Sequence, residues 1–125
     1  MVIVTLQDKV LAALSDELRK RKYQGNPNRI TGHCYVASEA LYHLLGGNRQ
    51  GYAPHFVRHE GEPHWYLEAP GGKRIDLTAS QFTTPVPYDL GRGKGFLTRQ
   101  PSKRAQIVID RVLDKMPDPS RKVGP

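Results

Sequence analysis

The segment TGHCYVASEALYHLLGG, residues 31–47, holds the only cysteine of the chain, Cys34, at the start of a predicted amphipathic helix. Apolar residues recur at helical spacing from Val36 to Leu45, and Gly46 is the kind of residue that ends a helix. The first turn of a helix presents unpaired N–H groups and a positive partial charge, which favour a thiolate over a thiol. The segment therefore predicts a half-buried helix that holds a reactive sulfur at its N-terminus.

A β-hairpin is predicted further along the chain. Its strands are residues 64–69 and 74–78, and the turn between them is Pro-Gly-Gly-Lys, residues 70–73. Side chains alternate along a strand, so His64 and Asp76 should project from the same face of neighbouring strands. Trp65 and Leu67, which have the opposite parity, should face the core. The hairpin therefore brings a histidine and an aspartate into contact.

Cysteine, histidine and aspartate together predict a thiol enzyme. An aspartate can hold a histidine in one tautomer while the other ring nitrogen faces a thiol. We expect Cys34 as the nucleophile, His64 as its base and Asp76 as the acid that orients the base. Each residue also has a simpler interpretation. Cys34 can be a small buried apolar residue, and His64 a surface or strand-end histidine. Asp76 can be an ion-pair partner of Arg74 or a turn residue before Thr78.

Two further groups of residues are candidates for substrate contacts. An oxyanion hole needs two donors, and the backbone N–H of Cys34 is one. The second can be a side-chain amide upstream, Asn28 or Gln24, although both residue types are also common in turns. Tyr35 and Tyr66 are candidates for lining a substrate cleft, although aromatic residues more often form the core.

A metal site is the main competing chemistry. The possible ligands are His33, Cys34, His55, His59 and His64. Their spacing contains neither Cys-x-x-Cys nor His-Glu-x-x-His, and two histidines four residues apart on a strand are too distant to share an ion. The sequence therefore predicts an activity that needs neither a metal nor another cofactor.

The composition favours one compact domain. The chain has 125 residues, and no apolar run approaches the roughly 18 residues that a membrane-spanning helix needs. The start of the chain lacks the pattern of a signal peptide. We therefore expect a cytoplasmic protein without membrane contact. One cysteine cannot form an internal disulfide.

The net charge of +7 is unevenly distributed. Lys and Arg number six against three Asp and Glu in residues 1–30, four against six in residues 31–89, and nine against three in residues 90–125. Basic flanks can attract nucleic acid or an acidic partner. A solvated surface is the simpler interpretation, because no aromatic residues are interleaved with the charges.

The order of predicted elements indicates an α+β domain, with helices packed on a small antiparallel sheet. Thr5 caps a first helix with Asp8 at its third position, and the basic run 19–22 ends that helix. A strand is expected over residues 52–58. The domain is predicted to span residues 1–117, with a core module at 31–82, an irregular basic arm at 83–99 and a C-terminal helix at 101–116. Residues 118–125 are predicted to be a disordered tail.

The motifs of residues 31–82, less than half of the chain, resemble the YunG-like family of small bacterial and phage proteins. That family shows a Gly-x-Cys helix, an aromatic-rich strand with a histidine, and an Asp-Leu-Thr-x-x-Gln-Phe segment. This chain has Gly-His-Cys at 32–34, His-Trp-Tyr at 64–66 and Asp-Leu-Thr-Ala-Ser-Gln-Phe at 76–82. The wider similarity is to papain-like and transglutaminase-like thiol enzymes, which carry Cys, His and Asp in this chain order.

The resemblance implies a papain-like fold with Cys34 as nucleophile, His64 as base and Asp76 as orienting residue. Those relatives tend to have Gln directly before the cysteine, whereas this chain has His33. The second oxyanion donor therefore differs, and His33 itself is a candidate for it.

These observations favour a cysteine-nucleophile enzyme that acts on an amide, isopeptide or other acyl bond through a thioester. The substrate would be a peptide, a protein or a small acyl or amide compound. The alternative is a non-catalytic basic module that contacts nucleic acid or a partner protein.

Overall fold

The computed structural model describes residues 5–114. Within that range it contains α-helices packed on one antiparallel sheet with the strand order β3-β2-β1-β4. The elements are α1 (Leu6–Ala13), α2 (Cys34–Leu44), β1 (Ala53–His59), β2 (Glu62–Glu68), β3 (Arg74–Ile75), β4 (Arg92–Gly93) and α3 (Lys103–Asp114). The predicted α+β class is confirmed. No helix in this range is both long and apolar enough to cross a membrane.

The first helix is shorter than predicted. α1 begins with the expected capping box, in which Thr5 and Asp8 exchange hydrogen bonds of 3.1 Å. It ends at Ala13 and does not reach the basic run 19–22. The chain instead leaves the helix at Leu14, which adopts an extended conformation, and short 3-10 turns follow.

Arg19 explains much of this difference. It was expected at an exposed helix end, but only 4% of it is exposed. Its guanidinium donates to the carbonyls of Asn26, Asn28 and Thr31 at 2.9–3.0 Å and pairs with Asp16 at 2.7 Å. A helix continued through this residue could not place the guanidinium among these carbonyls. Arg19 therefore fixes the loop that leads into α2.

Helix α2 has the predicted bounds to within one residue, and Gly46 follows it with φ at 97°, as a helix-ending glycine should. The helix lies against β2 and contacts both other helices, which also contact each other. Ser38 donates to the carbonyl of Trp65 at 3.1 Å. The fully buried carboxylate of Glu39 accepts from both the backbone N–H and the hydroxyl of Ser102, at 2.9 and 2.7 Å. α2 is thus tied to the sheet and to the start of α3.

The main core lies between the helices and one face of the sheet. It is made of small and branched apolar side chains that are each at most 8% exposed. Its members are Val10, Ala13, Leu14, Leu18, Val36, Ala37, Ala40, Leu41, Leu67, Ala105, Val108, Ile109 and Val112.

The sheet is buried on both faces at β2, which the predicted alternation did not anticipate. His64, Trp65, Tyr66 and Leu67 are all at most 8% exposed. The basic arm covers the face that carries His64, because the Tyr88 ring packs on Tyr66 with centroids 5.1 Å apart. The second predicted strand of the hairpin shortens to β3, so Asp76 lies just beyond it.

The arm was predicted to be irregular throughout, and part of that prediction is wrong. Within it, β4 pairs with β1 through His55 opposite Gly93 and Phe56 opposite Arg92. Gly91 allows this approach, because a Cβ atom there would overlap the hydroxyl of Tyr66. Glycine at position 91 therefore lets the arm pack directly on Tyr66.

The C-terminal helix begins two residues later than predicted. Ser102 precedes α3, and its hydroxyl accepts from the N–H of Ala105 at 3.3 Å. The predicted end of this helix at residue 116 and the predicted disordered tail at 118–125 lie outside the described residues.

Candidate active site

Cys34 is the first residue of α2, and 8% of it is exposed. Its thiol donates to the carbonyl of Pro63 in β2 at 3.6 Å. The turn before the helix passes close to Tyr23, so that a side chain at Gly32 would overlap the tyrosine ring. Gly32 also has φ at 88°, a conformation that favours glycine. The sequence Gly-His-Cys therefore places the sulfur against the edge of β2.

His64 lies in β2 and is fully buried. Its Nε2 atom is 2.6 Å from Oδ2 of Asp76, the contact that strand alternation predicted. Burial lowers the pKa of His64. The hydrogen bonds with Asp76 and Cys34, together with the charges of both partners, outweigh burial and raise this pKa to about 9. The imidazole thus lies between an acid and the thiol.

Asp76 accepts hydrogen bonds from two donors besides His64. The Tyr88 hydroxyl donates to Oδ2 at 2.7 Å, and the backbone N–H of Thr78 donates to Oδ1 at 3.2 Å. Burial and the bond to Asp76 raise the pKa of Tyr88, so the phenol stays protonated and remains a donor. Sequence reasoning gave Tyr88 no role, because it lies in an arm without periodicity.

Gln81 contacts the other side of the imidazole. Its amide nitrogen lies 3.1 Å from Nδ1 of His64, and its amide oxygen accepts from the N–H of Gly32 at 3.4 Å. The neutral ring is therefore assigned a proton on Nε2, which faces Asp76, and a lone pair on Nδ1 that accepts from the Gln81 amide. The motif Asp-Leu-Thr-x-x-Gln-Phe contained this residue, but its contact with His64 was not predicted.

Two of the predicted oxyanion donors are engaged elsewhere. The Gln24 amide donates to the carbonyl of Arg19 at 3.1 Å. The Asn28 side chain accepts from the N–H of Ile30 at 3.0 Å, as a turn residue does. Both side chains stabilise the loop before α2, and the structure does not bring either amide to the thiol.

His33, the third candidate donor, is fully buried with both ring nitrogens in use. Nδ1 lies 2.9 Å from the carbonyl of Arg29, and Nε2 lies 3.0 Å from the carbonyl of Ser15. Burial lowers the pKa of His33, and these hydrogen bonds oppose that effect. The ring joins the segment after α1 to the start of α2, and neither nitrogen is free for a substrate oxygen.

The two candidate cleft tyrosines differ in position. Tyr66 is 2% exposed and packs against the rings of His64 and Tyr88, so it belongs to the packing around His64 and does not line the cleft. Tyr35 borders a cleft, and its hydroxyl accepts from the N–H of Leu97 at 2.7 Å.

This cleft has a volume of about 590 Å³. Gly32 and Tyr35, the neighbours of Cys34 along the turn, and Pro63, the acceptor of its thiol hydrogen bond, all belong to its wall. The rest of the wall is formed by Leu18, Lys20, Val36, Phe56, Arg58, Trp65, Lys94, Leu97, Ser102, Lys103 and Arg104. A cavity of this size is typical of small-molecule or peptide side-chain binding.

The described side chains do not suggest a metal centre. Among residues 5–114, no group of three or more His, Cys, Asp or Glu side chains is arranged to hold a metal ion.

Comparison with known proteins places the chain in one family. The family model of the YunG protein matches residues 5–116. This match extends beyond the motifs at 31–82 to the helices on both sides. No curated protein and no solved structure matches the chain significantly. Since the family model covers most of the sequence, the chain belongs to the YunG protein family.

Proposed function

We propose that the protein is a cysteine-nucleophile enzyme of papain-like type that cleaves or transfers an acyl group. The observation that carries the proposal is the buried His64 imidazole, whose Nε2 lies 2.6 Å from Asp76 and which also interacts with the Cys34 thiol and the Gln81 amide. A structural ion pair would need only the histidine and the aspartate. The thiol at a helix start adds the group that attacks.

The reaction follows from these positions. His64 accepts the thiol proton, and the Cys34 sulfur adds to the carbonyl carbon of an amide or ester. The developing oxyanion accepts a hydrogen bond from the backbone N–H of Cys34. His64 returns the proton to the leaving amine or alcohol as the carbon–nitrogen or carbon–oxygen bond breaks, which leaves a thioester.

The second half of the reaction resolves the thioester. Water or an amine loses a proton to His64 and attacks the carbonyl carbon, and the carbon–sulfur bond breaks with return of the electron pair to sulfur. Asp76 keeps the imidazole oriented through both halves. Water gives hydrolysis, and an amine gives acyl transfer. Amide and isopeptide bonds are the first substrates to screen.

A papain-like fold is part of this proposal. Its support is the chain order Cys, His, Asp, with the cysteine at the start of a helix and the other two residues at an antiparallel sheet. We also place the protein in the cytoplasm, since a reducing compartment keeps a single thiol free. No cofactor enters the mechanism.

The experiment uses p-nitrophenyl acetate as an acyl donor and intact-mass spectrometry as the readout. We expect a burst of p-nitrophenolate equal to the enzyme concentration and an acetyl group on Cys34. Cys34→Ala should abolish both, and His64→Gln should slow the burst by about 100-fold, a typical contribution of a general base.

His55→Gln is the matched control, because His55 lies on the neighbouring strand and pairs with Glu68 at 3.6 Å. It should retain the burst. A thiol that reacts equally fast with and without His64 would contradict the proposal. That result would favour the alternative, a binding module without catalysis.

A further inference from the structure

The charged side chains that line the cleft beside Cys34 are all basic. Five basic side chains contribute to its wall, and no aspartate or glutamate does. They come from separate parts of the chain, namely Lys20 before α2, Arg58 in β1, Lys94 after β4, and Lys103 and Arg104 in α3. All five are exposed. Folding therefore collects positive charge around one cavity from segments that are distant in sequence.

None of these five cations forms an ion pair with a carboxylate of the described residues. Within residues 5–114, the basic groups that form ion pairs with carboxylates are Arg19, Lys22, Arg111 and three histidines, and none of the five is among them. A basic residue on an ordinary surface has acidic neighbours on average, and 12 Asp and Glu are present in the chain. A concave site lined by one sign of charge concentrates ligands of the opposite sign.

Aromatic rings form the floor of the cleft. Trp65 and Phe56 lie edge to face with centroids 5.4 Å apart, and the ammonium of Lys94 lies 4.6 Å from the Phe56 centroid and 5.8 Å from that of Trp65. Leu97 at the rim is 88% exposed. The cleft therefore combines an apolar surface with exposed cations.

The same geometry argues against single-stranded nucleic acid as the ligand. Binding of that kind depends on aromatic faces on which bases stack. Here Trp65 is only 8% exposed, and Lys94 covers the rings. The volume of this cleft, about 590 Å³, fits one or two peptide side chains better than an extended polymer.

We propose that this cleft selects acyl substrates that carry a carboxylate next to an apolar group, as an acidic peptide segment does. The inference rests on the proposed function, because it assigns the substrate of the same thiol. Gly32 and Pro63 connect the cleft to Cys34, so the bond to be cleaved lies at one end of the cavity. The carboxylate lies between Arg58 and Lys94, and the apolar group lies against the exposed side chain of Leu97.

The test compares two alkylating probes of nearly identical shape, iodoacetyl-glutamic acid amide and iodoacetyl-glutamine amide. In both, the Cys34 sulfur displaces iodide from the methylene carbon, so a carbon–sulfur bond replaces the carbon–iodine bond. They differ by one carboxylate. We expect the wild type to react about fivefold faster with the glutamic acid probe, the size of a partly exposed ion pair, and to lose this preference at high salt.

Single variants then locate the effect. Arg58→Gln and Lys94→Gln should each bring the ratio of the two rates closer to one, and the double variant should abolish the preference. Lys73→Gln is the control, because Lys73 is an exposed cation in the β2–β3 turn that does not line the cleft. A ratio of one in the wild type, or a ratio that Lys73→Gln lowers equally, would overturn the proposal.

A binding measurement separates this inference from the proposed function. In Cys34→Ser, fluorescence anisotropy follows a fluorescein-labelled Phe-Glu-Glu amide and its Phe-Gln-Gln counterpart. Preferential binding of the acidic peptide supports the cleft even if the wild-type thiol proves unreactive, which would overturn catalysis alone. Equal binding of the two peptides overturns the cleft inference. Stronger competition by an oligothymidine than by Phe-Glu-Glu would overturn it in favour of nucleic acid.

Discussion

At the scale of single residues, the hydrogen bond from the Tyr88 hydroxyl to Asp76 is the interaction whose removal is easiest to interpret. Tyr88→Phe deletes the 2.7 Å hydrogen bond to Asp76 and keeps the ring against Tyr66. We expect the free energy of unfolding to fall by about 1–2 kcal/mol, as for a hydrogen bond to a charged group. The pKa of His64 should rise further, because the carboxylate loses a competing donor.

Urea unfolding and NMR titration of the imidazole measure these two effects. Tyr52→Phe serves as the control, since the Tyr52 hydroxyl forms no hydrogen bond within residues 5–114. An unchanged urea midpoint together with an unchanged His64 titration would show that the Tyr88 hydrogen bond affects neither the stability of the protein nor the pKa of His64.

Contacts between single residues could be predicted where the sequence has a periodic pattern, and they were missed where it has none. The contact of His64 with Asp76 followed from strand parity. Tyr88 and Gln81 reach the same site from segments without periodicity, so only the folded chain reveals them. Arg19 shows the opposite error, because a basic residue near a helix end is usually solvated. The carbonyls that surround Arg19 belong to the loop before α2, and the path of that loop could not be predicted from the sequence.

At the scale of elements, the contact between α2 and α3 depends on one buried carboxylate. Glu39→Ala removes the acceptor of both Ser102 hydrogen bonds and leaves two part-buried donors without it. We expect a loss of about 3 kcal/mol in unfolding free energy. Ser102→Ala should cost about 1 kcal/mol as a lost N-cap.

A double-mutant cycle measured by urea unfolding checks this link. Because the two residues share one interaction, the double variant should cost less than the sum of the single variants. Strict additivity would mean that Glu39 stabilises the protein in some other way.

The attachment of β4 provides a second prediction for elements, with a control inside the same arm. Gly91→Ala should displace the arm from Tyr66, at a cost of about 1–3 kcal/mol for overpacking. Gly95→Ala meets nothing within 4 Å and should be neutral or slightly stabilising. Thermal unfolding of both variants measures the difference. Equal stability of the two would show that the arm does not pack on Tyr66 as described.

Element boundaries were predictable where local signals marked both ends. α2 has an apolar period and a terminal glycine, and its observed bounds differ from the prediction by one residue. β4 and the early end of α1 depend on contacts with distant segments, and the two residues of β4 carry no strand pattern of their own. The α+β class itself needed only the order of elements.

At the scale of the whole molecule, the buried His64 should make stability depend on pH. Its pKa in the folded protein is raised from 6.5 to about 9, so folding favours the imidazolium. The resulting stabilisation is complete below about pH 6.5 and is lost as pH rises through about 9. We expect a loss on the order of 3 kcal/mol across this range.

Urea unfolding near the two ends of that range measures the effect, with Asp76→Asn as the comparison. The variant lacks the charge that raises the His64 pKa and should show a much flatter profile. Net charge predicts the opposite slope, because the isoelectric point is about 9.8 and self-repulsion weakens as pH approaches it. A wild type whose stability changes with pH in the same way as that of Asp76→Asn would therefore mean that His64 is not held as an imidazolium. A slope that survives in Asp76→Asn would assign the effect to groups outside this pair.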